Sequence, residues 1–309
     1  MNPQYLEQKD GHTIAYYDTG NPDGDVVLNF HGGPGSASKP HHAERYDPKK
    51  NRVILFDQRG CGRSTPLGEI ENNNTETVLE DAERLRKHLG IEKWFVAGSS
   101  WGSTCALLYT LKHADRVRGM LLSSVFLADK QSYDWCMRTE HGAAVLMPDV
   151  WDKRMDFYKE MNVTVDNADK ELLRMLLTEG KDLQSRVAAG VFNWEHNLFS
   201  PQSSISYIEP DDIEEKRIAS SKVFLHFESN DSFIPNRYIL DNASRLEEVP
   251  TIIVHGRYDI LCPLKYPYEL SKKLKSCELV VADSSGHSFN AEGKVLGYMA
   301  FKNFLDKNK

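Results

Sequence analysis

Gly98-Ser99-Ser100-Trp101-Gly102 has the form G-x-S-x-G. It stands between an apolar run, Trp94-Phe95-Val96-Ala97, and a helix-like stretch from Trp101 to about His113. A strand-to-helix turn on such a pentapeptide thrusts its serine out of the sheet in a strained conformation, which makes Ser100 a candidate nucleophile. The following helix aims its N-terminal dipole at developing negative charge. His31-Gly32-Gly33-Pro34-Gly35 also follows an apolar run. Consecutive glycines there let backbone N–H groups approach an oxyanion closely. Either motif alone suits a plain Gly-rich turn. At a separation of two intervening βα units, the pair points to acyl transfer.

A seryl hydroxyl is a poor nucleophile until a base accepts its proton, and the base needs an orienting acid. The expected chain order in this architecture is nucleophile, acid, base. With eleven histidines, histidine alone selects nothing. His287 closes Ser284-Ser285-Gly286-His287 just beyond the last strand-like run, and Asp259 follows Ile252-Ile253-Val254-His255-Gly256. Both fall at strand C-termini, where catalytic groups of open α/β sheets collect. His255, inside its strand, is read as structural, and Asp283 as support for the turn before His287. The expected triad is Ser100, Asp259 and His287.

The elements that must position these residues are readable as alternation. Strand-like runs cover residues 12–17, 26–30, 53–56, 94–97, 120–122, 251–254 and 279–282. Several are apolar without a period of two, as strands buried on both faces are. Helical patterns cover about 74–89, 101–113 and 293–306. This βαβ succession predicts an α/β fold with a mostly parallel sheet flanked by helices. Residues 129–245 break it with helical periodicity and long polar stretches. The expected organisation is therefore a catalytic domain of residues 1–128 and 246–309, interrupted by a mostly helical insertion of residues 129–245.

At 309 residues, 40% hydrophobic and 27% charged, the chain has the composition of an ordinary soluble globular protein with a sizeable core. No stretch approaches the roughly 20 apolar residues of a membrane span, and residues 1–7 lack a signal-peptide profile. The net charge of −7 argues against nucleic acid or a membrane as principal partner. Within residues 129–245, 14 Lys and Arg face 21 Asp and Glu, so the insertion carries the whole net charge. Five scattered cysteines without a CxxC pair argue against disulfides and structural zinc. A reducing cytoplasm, with no metal and no cofactor, is the expectation.

HGGPG at 31–35, DQRGCGRS at 57–64, GSSWGS at 98–103, HGRYDILCP at 255–263 and SGH at 285–287 together resemble the proline iminopeptidases (prolyl aminopeptidases). These are serine peptidases of the α/β-hydrolase superfamily. The resemblance implies an α/β-hydrolase fold with a helical cap, releasing N-terminal proline from small peptides through an acyl-enzyme. It makes Ser100, Asp259 and His287 nucleophile, acid and base, and assigns the oxyanion to the backbone N–H groups of Gly33 and Trp101. Asn193-Trp194-Glu195 matches the family's Trp-Glu, whose glutamate holds the substrate's α-amino group. Phe227-Glu228-Ser229-Asn230 resembles the segment bearing a second such glutamate. Phe126 and Cys262 would line the proline pocket. Two departures stand out: the family's aromatic ten positions after Phe126 is Cys136 here, and the stretch from Glu228 to Pro250 is several residues shorter, which leaves the register of Phe233 open.

The acidic insertion is physically apt for this role. A metal-free aminopeptidase binds its substrate's ammonium with carboxylates, and two of them stay ionised because the cation offsets their repulsion. They also exclude N-blocked peptides. The alternative is an esterase or amidase with the same triad and another acyl pocket. Aspartate-nucleophile hydrolases are disfavoured by the serine at the elbow, and a non-catalytic receptor by the complete triad.

Overall fold

The computed structural model describes residues 1–199 and 204–308. Its strands are β1 (Gln4–Glu7), β2 (Thr13–Gly20), β3 (Asp25–Phe30), β4 (Asn51–Phe56), β5 (Trp94–Ser100), β6 (Val117–Val125), β7 (Thr251–Gly256) and β8 (Cys277–Ala282). They form one sheet in the order β1-β2-β4-β3-β5-β6-β7-β8. β2 pairs antiparallel with β1 and β4. All other pairings are parallel.

The apolar runs without alternation are the central strands. Leu28, Phe30, Ile54, Phe56, Val96, Leu122 and Ile253 join the core cluster that includes the helices Thr75–His88 and Trp101–Lys112. Their neighbours Val27, Val53, Leu55, Phe95, Ala97, Leu121, Ile252 and Val254 form a second cluster with Phe301, Phe304 and Leu305 of the final helix, Ala291–Lys307. Helices thus cover both faces, and neither face asks for polar residues. β1 has no such run: Gln4-Tyr5-Leu6-Glu7 is an exposed edge strand, and no sequence pattern marks it.

Among the described residues between β6 and β7 there is no strand. The longer elements are the helices Pro148–Glu160, Ala168–Thr178, Lys181–Leu198 and Glu215–Glu228. Lys181–Leu198 packs against the other three. Two indoles fasten this helical layer. Trp135 Nε1 donates to the Ile260 carbonyl beyond β7 at 2.7 Å, and Trp194 Nε1 donates to the Cys136 carbonyl at 2.7 Å. Each satisfies a polar group that burial would otherwise penalise by about 1–3 kcal/mol.

Candidate active site

Ser100 is the last residue of β5 and the N-cap of the helix Trp101–Lys112, with φ 57° and ψ −128°. Such a backbone costs on the order of 1–3 kcal/mol in a non-glycine residue. The flanking glycines make the turn possible. A Cβ on Gly98 would lie 2.0 Å from the Gly102 carbonyl oxygen, and one on Gly102 would lie 2.2 Å from that of Phe30. The close strand–helix crossing that lifts Ser100 therefore excludes any side chain at either position.

Asp259 follows β7, and its fully buried carboxylate is met by Cys262, by His287 and, at 3.4 Å, by His255 Nε2. Cys262 N–H donates to Oδ1 at 2.7 Å, while His287 Nδ1 lies 2.9 Å from Oδ2 and 3.1 Å from Oδ1. An ionised carboxylate there fixes Nδ1 as the protonated nitrogen and leaves Nε2 for proton exchange with a nucleophile. Burial works against a charged imidazole at His287. The charge and hydrogen bond of Asp259, joined by the charge of Glu195, overcome it and raise the pKa above its ordinary value. The Cys262 thiol, which burial pushes well up, lies with the Asp259 carboxylate and the His287 imidazole, their polar atoms within 4.8 Å of one another, and Ser100 acts on that thiol from the elbow. The described structure thus brings Ser100, Asp259, His287 and Cys262 together.

His255 occupies a different position. Its ring is fully buried, accepts the Val125 N–H at Nδ1 (3.0 Å) and donates from Nε2 to the Cys262 carbonyl (2.8 Å). It braces the loop that carries Asp259 and Cys262. Asp283 is exposed, paired with Arg257 at 2.6 Å.

On the other side of Ser100 lies the glycine loop. Gly32 is adjacent to the elbow, its virtual Cβ 3.5 Å from Ser100 Cβ, and Gly33 has φ +119°. Gln58 organises this wall, a role the sequence reasoning did not assign. Its Nε2 donates to the His31 carbonyl at 2.9 Å, its N–H to His31 Nε2 at 3.0 Å, and its Oε1 accepts the Trp101 indole at 2.8 Å. Arg59, one residue on, ties the segment to the helix Thr75–His88 through two bonds to Asp81, at 2.6 and 2.9 Å. Both residues sit in the quoted DQRG stretch, which was the available signal.

The helical layer supplies two carboxylates. Glu195 is half-buried near the end of Lys181–Leu198, and Glu228 is 5% exposed at the end of Glu215–Glu228. Burial raises Glu195 to about 7, with His287 opposing and Glu228 reinforcing the shift. Burial likewise raises Glu228 to about 7, against the pull of Arg154 and Arg138. Among the described residues no hydrogen bond or ion pair is formed by either side-chain carboxylate. Glu228 acts electrostatically on Glu195, and a cation beside carboxyls that burial raises in this way would favour their ionised form. Cys136 lies in the field of both glutamates, and burial raises its thiol.

Phe126, directly after β6, is buried edge-on to Tyr133 at 5.3 Å, with its N–H on Ser103 Oγ (3.1 Å) and its carbonyl on Thr104 (2.7 Å). Phe233 packs against Phe227 (5.4 Å), which in turn lies edge-on to Trp101 at 5.1 Å. It ends a run of three left-handed residues, Asp231, Ser232 and Phe233, with φ 46°, 55° and 56°. Tyr133 Oη to Ser232 Oγ at 2.6 Å and Arg138 to Asp231 at 2.8 Å hold that run. No sequence pattern announces it. A second residue that the sequence did not single out is Phe199, whose ring lies flat on the His287 imidazole, 5.6 Å between centroids and 14° between planes.

A family model described as the alpha/beta hydrolase fold matches residues 25–158. A proline iminopeptidase of Arabidopsis thaliana is 35% identical over 93% of this chain and 75% of its own. A probable proline iminopeptidase of Leptolyngbya boryana is 36% identical over 91% of this chain and 87% of its own. Among solved structures, a thermophilic esterase from Thermogutta terrifontis superposes with a TM-score of 0.67 at 20% identity, over 100% of this chain and 99% of that one. That similarity concerns the fold alone. With identity above 30% along nearly its whole length, the chain belongs to the proline iminopeptidase family of α/β-hydrolase-fold enzymes.

Proposed function

We propose that the protein is a serine exopeptidase that releases N-terminal proline from small peptides through an acyl-enzyme, without metal or cofactor. Ser100 attacks the carbonyl of the first residue as His287 Nε2 takes its proton, and Asp259 stabilises the imidazolium that forms. The backbone N–H groups of Gly33 and Trp101 receive the oxyanion, aided by the N-terminus of the helix Trp101–Lys112. His287 returns the proton to the leaving amine, and water then repeats the cycle on the acyl-enzyme. Phe126 and Cys262 line the acyl pocket.

One observation carries the specificity: the unpaired carboxyls of Glu195 and Glu228, one of them acting electrostatically on the catalytic histidine. A prolyl N-terminus is a secondary ammonium with two N–H donors, one for each carboxylate. Its charge restores both glutamates to their ionised form. Residues 129–245 then act as a cap over a catalytic domain of residues 1–128 and 246–309. Five free cysteines, four of them buried, accord with a reducing cytoplasm. None of the helices is long and apolar enough to cross a membrane among the described residues.

The test compares kcat/KM for prolyl-β-naphthylamide, its N-acetylated form and p-nitrophenyl acetate. Loss of two charge-assisted contacts at about 1.5–3 kcal/mol each predicts at least a roughly hundredfold drop on acetylation. Equal hydrolysis of free and acetylated substrate, or ester hydrolysis alone, would instead favour an esterase or amidase with another acyl pocket.

A further inference from the structure

The helix Lys181–Leu198 carries Glu195 and is capped at its C-terminus by Phe199, four residues on. Positions i and i+4 share one face of a helix. Phe199 meets the His287 loop twice. Its ring stacks on the imidazole, and its carbonyl accepts the Ser288 N–H at 2.8 Å. On the sheet side, Ser124 Oγ donates to the His287 carbonyl at 2.9 Å. The ring edge is held by Asp259, the backbone by Ser124, and one ring face by Phe199. With these partners the His287 side chain is only 9% exposed.

From this geometry we propose that Phe199 is a positioning residue for the catalytic base, and that it links the base to the residues that receive the substrate's amino group. The proposal rests on His287 being the base. Two physical effects act through the stack. The flat contact fixes the ring plane in which Nδ1 meets Asp259 and Nε2 is left for proton exchange. The aromatic face also favours the imidazolium that each proton transfer creates, as a cation over a π-system. Because Glu195 and Phe199 are one turn apart on one helix, a displacement of that helix moves amino-group recognition and the base together.

The experiment uses Phe199→Ala, Phe199→Leu and Phe199→Tyr in the full chain, with thermal unfolding as a check on folding. On p-nitrophenyl acetate, which has no amino group, Phe199→Ala and Phe199→Leu should each lower kcat about three- to tenfold, the scale of a lost aromatic pair. KM for the ester should stay within about twofold, and kcat on prolyl-β-naphthylamide should fall in parallel. Phe199→Tyr, which restores the ring, should recover most of kcat. Proton NMR of the His287 Nδ1–H supplies a readout independent of turnover: that proton should exchange faster with water in Phe199→Ala and Phe199→Leu than in the wild type or Phe199→Tyr. A Leu variant equal to wild type in ester kcat and in proton exchange overturns the proposal, as does an effect confined to KM for the prolyl substrate. If the wild-type protein cleaves neither substrate, the assigned function has failed, and unchanged Nδ1–H exchange in the variants then rejects the positioning role separately.

Discussion

The indole of Trp101 donates to Gln58 Oε1 at 2.8 Å, joining the residue after the nucleophile to the segment that also holds the His31 carbonyl. Both halves of the proposed oxyanion site therefore hang on one amide side chain. Replacing it with an apolar group of similar size leaves a buried N–H and a buried carbonyl unpaired, at about 1–3 kcal/mol each. Gln58→Leu should lower Tm by about 4–8 °C and kcat by about tenfold or more, with KM less affected. A melting curve and steady-state kinetics check this; wild-type kcat would detach Gln58 from the oxyanion site.

The histidine predicts a pH profile. His287 must be neutral to act as base, and its pKa is raised, so the acid limb of kcat/KM on a neutral ester should lie above pH 6.5. Glu195→Gln removes one of the charges that raise it, and the ester limb should move to lower pH. For stability, a raised folded-state value means His287 contributes most below its unfolded value, and the contribution is lost as pH rises through the folded one. Profiles that coincide for wild type and Glu195→Gln would contradict the coupling.

Glu228 predicts opposed effects on stability and activity. Its value of about 7 lies above the unfolded one, so between about pH 4.5 and 7 the unfolded chain sheds its proton first and stability falls. Above that window the buried carboxylate remains a cost that Glu228→Gln removes. Its Tm at pH 8 should exceed that of the wild type, while kcat/KM for prolyl-β-naphthylamide drops at least about tenfold. Glu195→Gln should lower the same ratio, and the double variant should be non-additive, since both carboxylates hold one cation. Unimpaired cleavage of the prolyl substrate by both single variants would remove the amino-group anchor.

Chelation should do nothing. The proposed chemistry draws its nucleophile from Ser100 and its oxyanion stabilisation from backbone N–H groups. Dialysis against EDTA should leave kcat/KM unchanged. Activity lost on chelation and restored by zinc or manganese would require a different mechanism.

The skeleton of the candidate site is legible in the sequence because its parts are local. Ser100 is marked by two glycines that a tight crossing demands, and Asp259 and His287 by their places after apolar runs. The central strands were visible as runs buried on both faces. What stayed hidden depends on pairs far apart in the chain. Phe199 lies 88 residues before His287, and only the folded helix lays one ring on the other. Gln58 stood within a recognised motif, yet its two partners, His31 in a loop and Trp101 at the start of a helix, lie far from it in the chain. The left-handed run at Asp231, Ser232 and Phe233 is imposed by Tyr133 and Arg138, which no local propensity encodes.

The most direct measurement is on Ser100→Ala. Wild-type protein and variant are treated with a serine-directed phosphonate, weighed by intact-mass spectrometry, and assayed on prolyl-β-naphthylamide, with circular dichroism and Tm confirming the fold. Removing the nucleophile of a triad lowers kcat by about 10⁴-fold or more. The account predicts a single phosphonate adduct on the wild type, none on Ser100→Ala, and turnover reduced to that residual level. A folded Ser100→Ala protein that cleaves the substrate at the wild-type rate would contradict it.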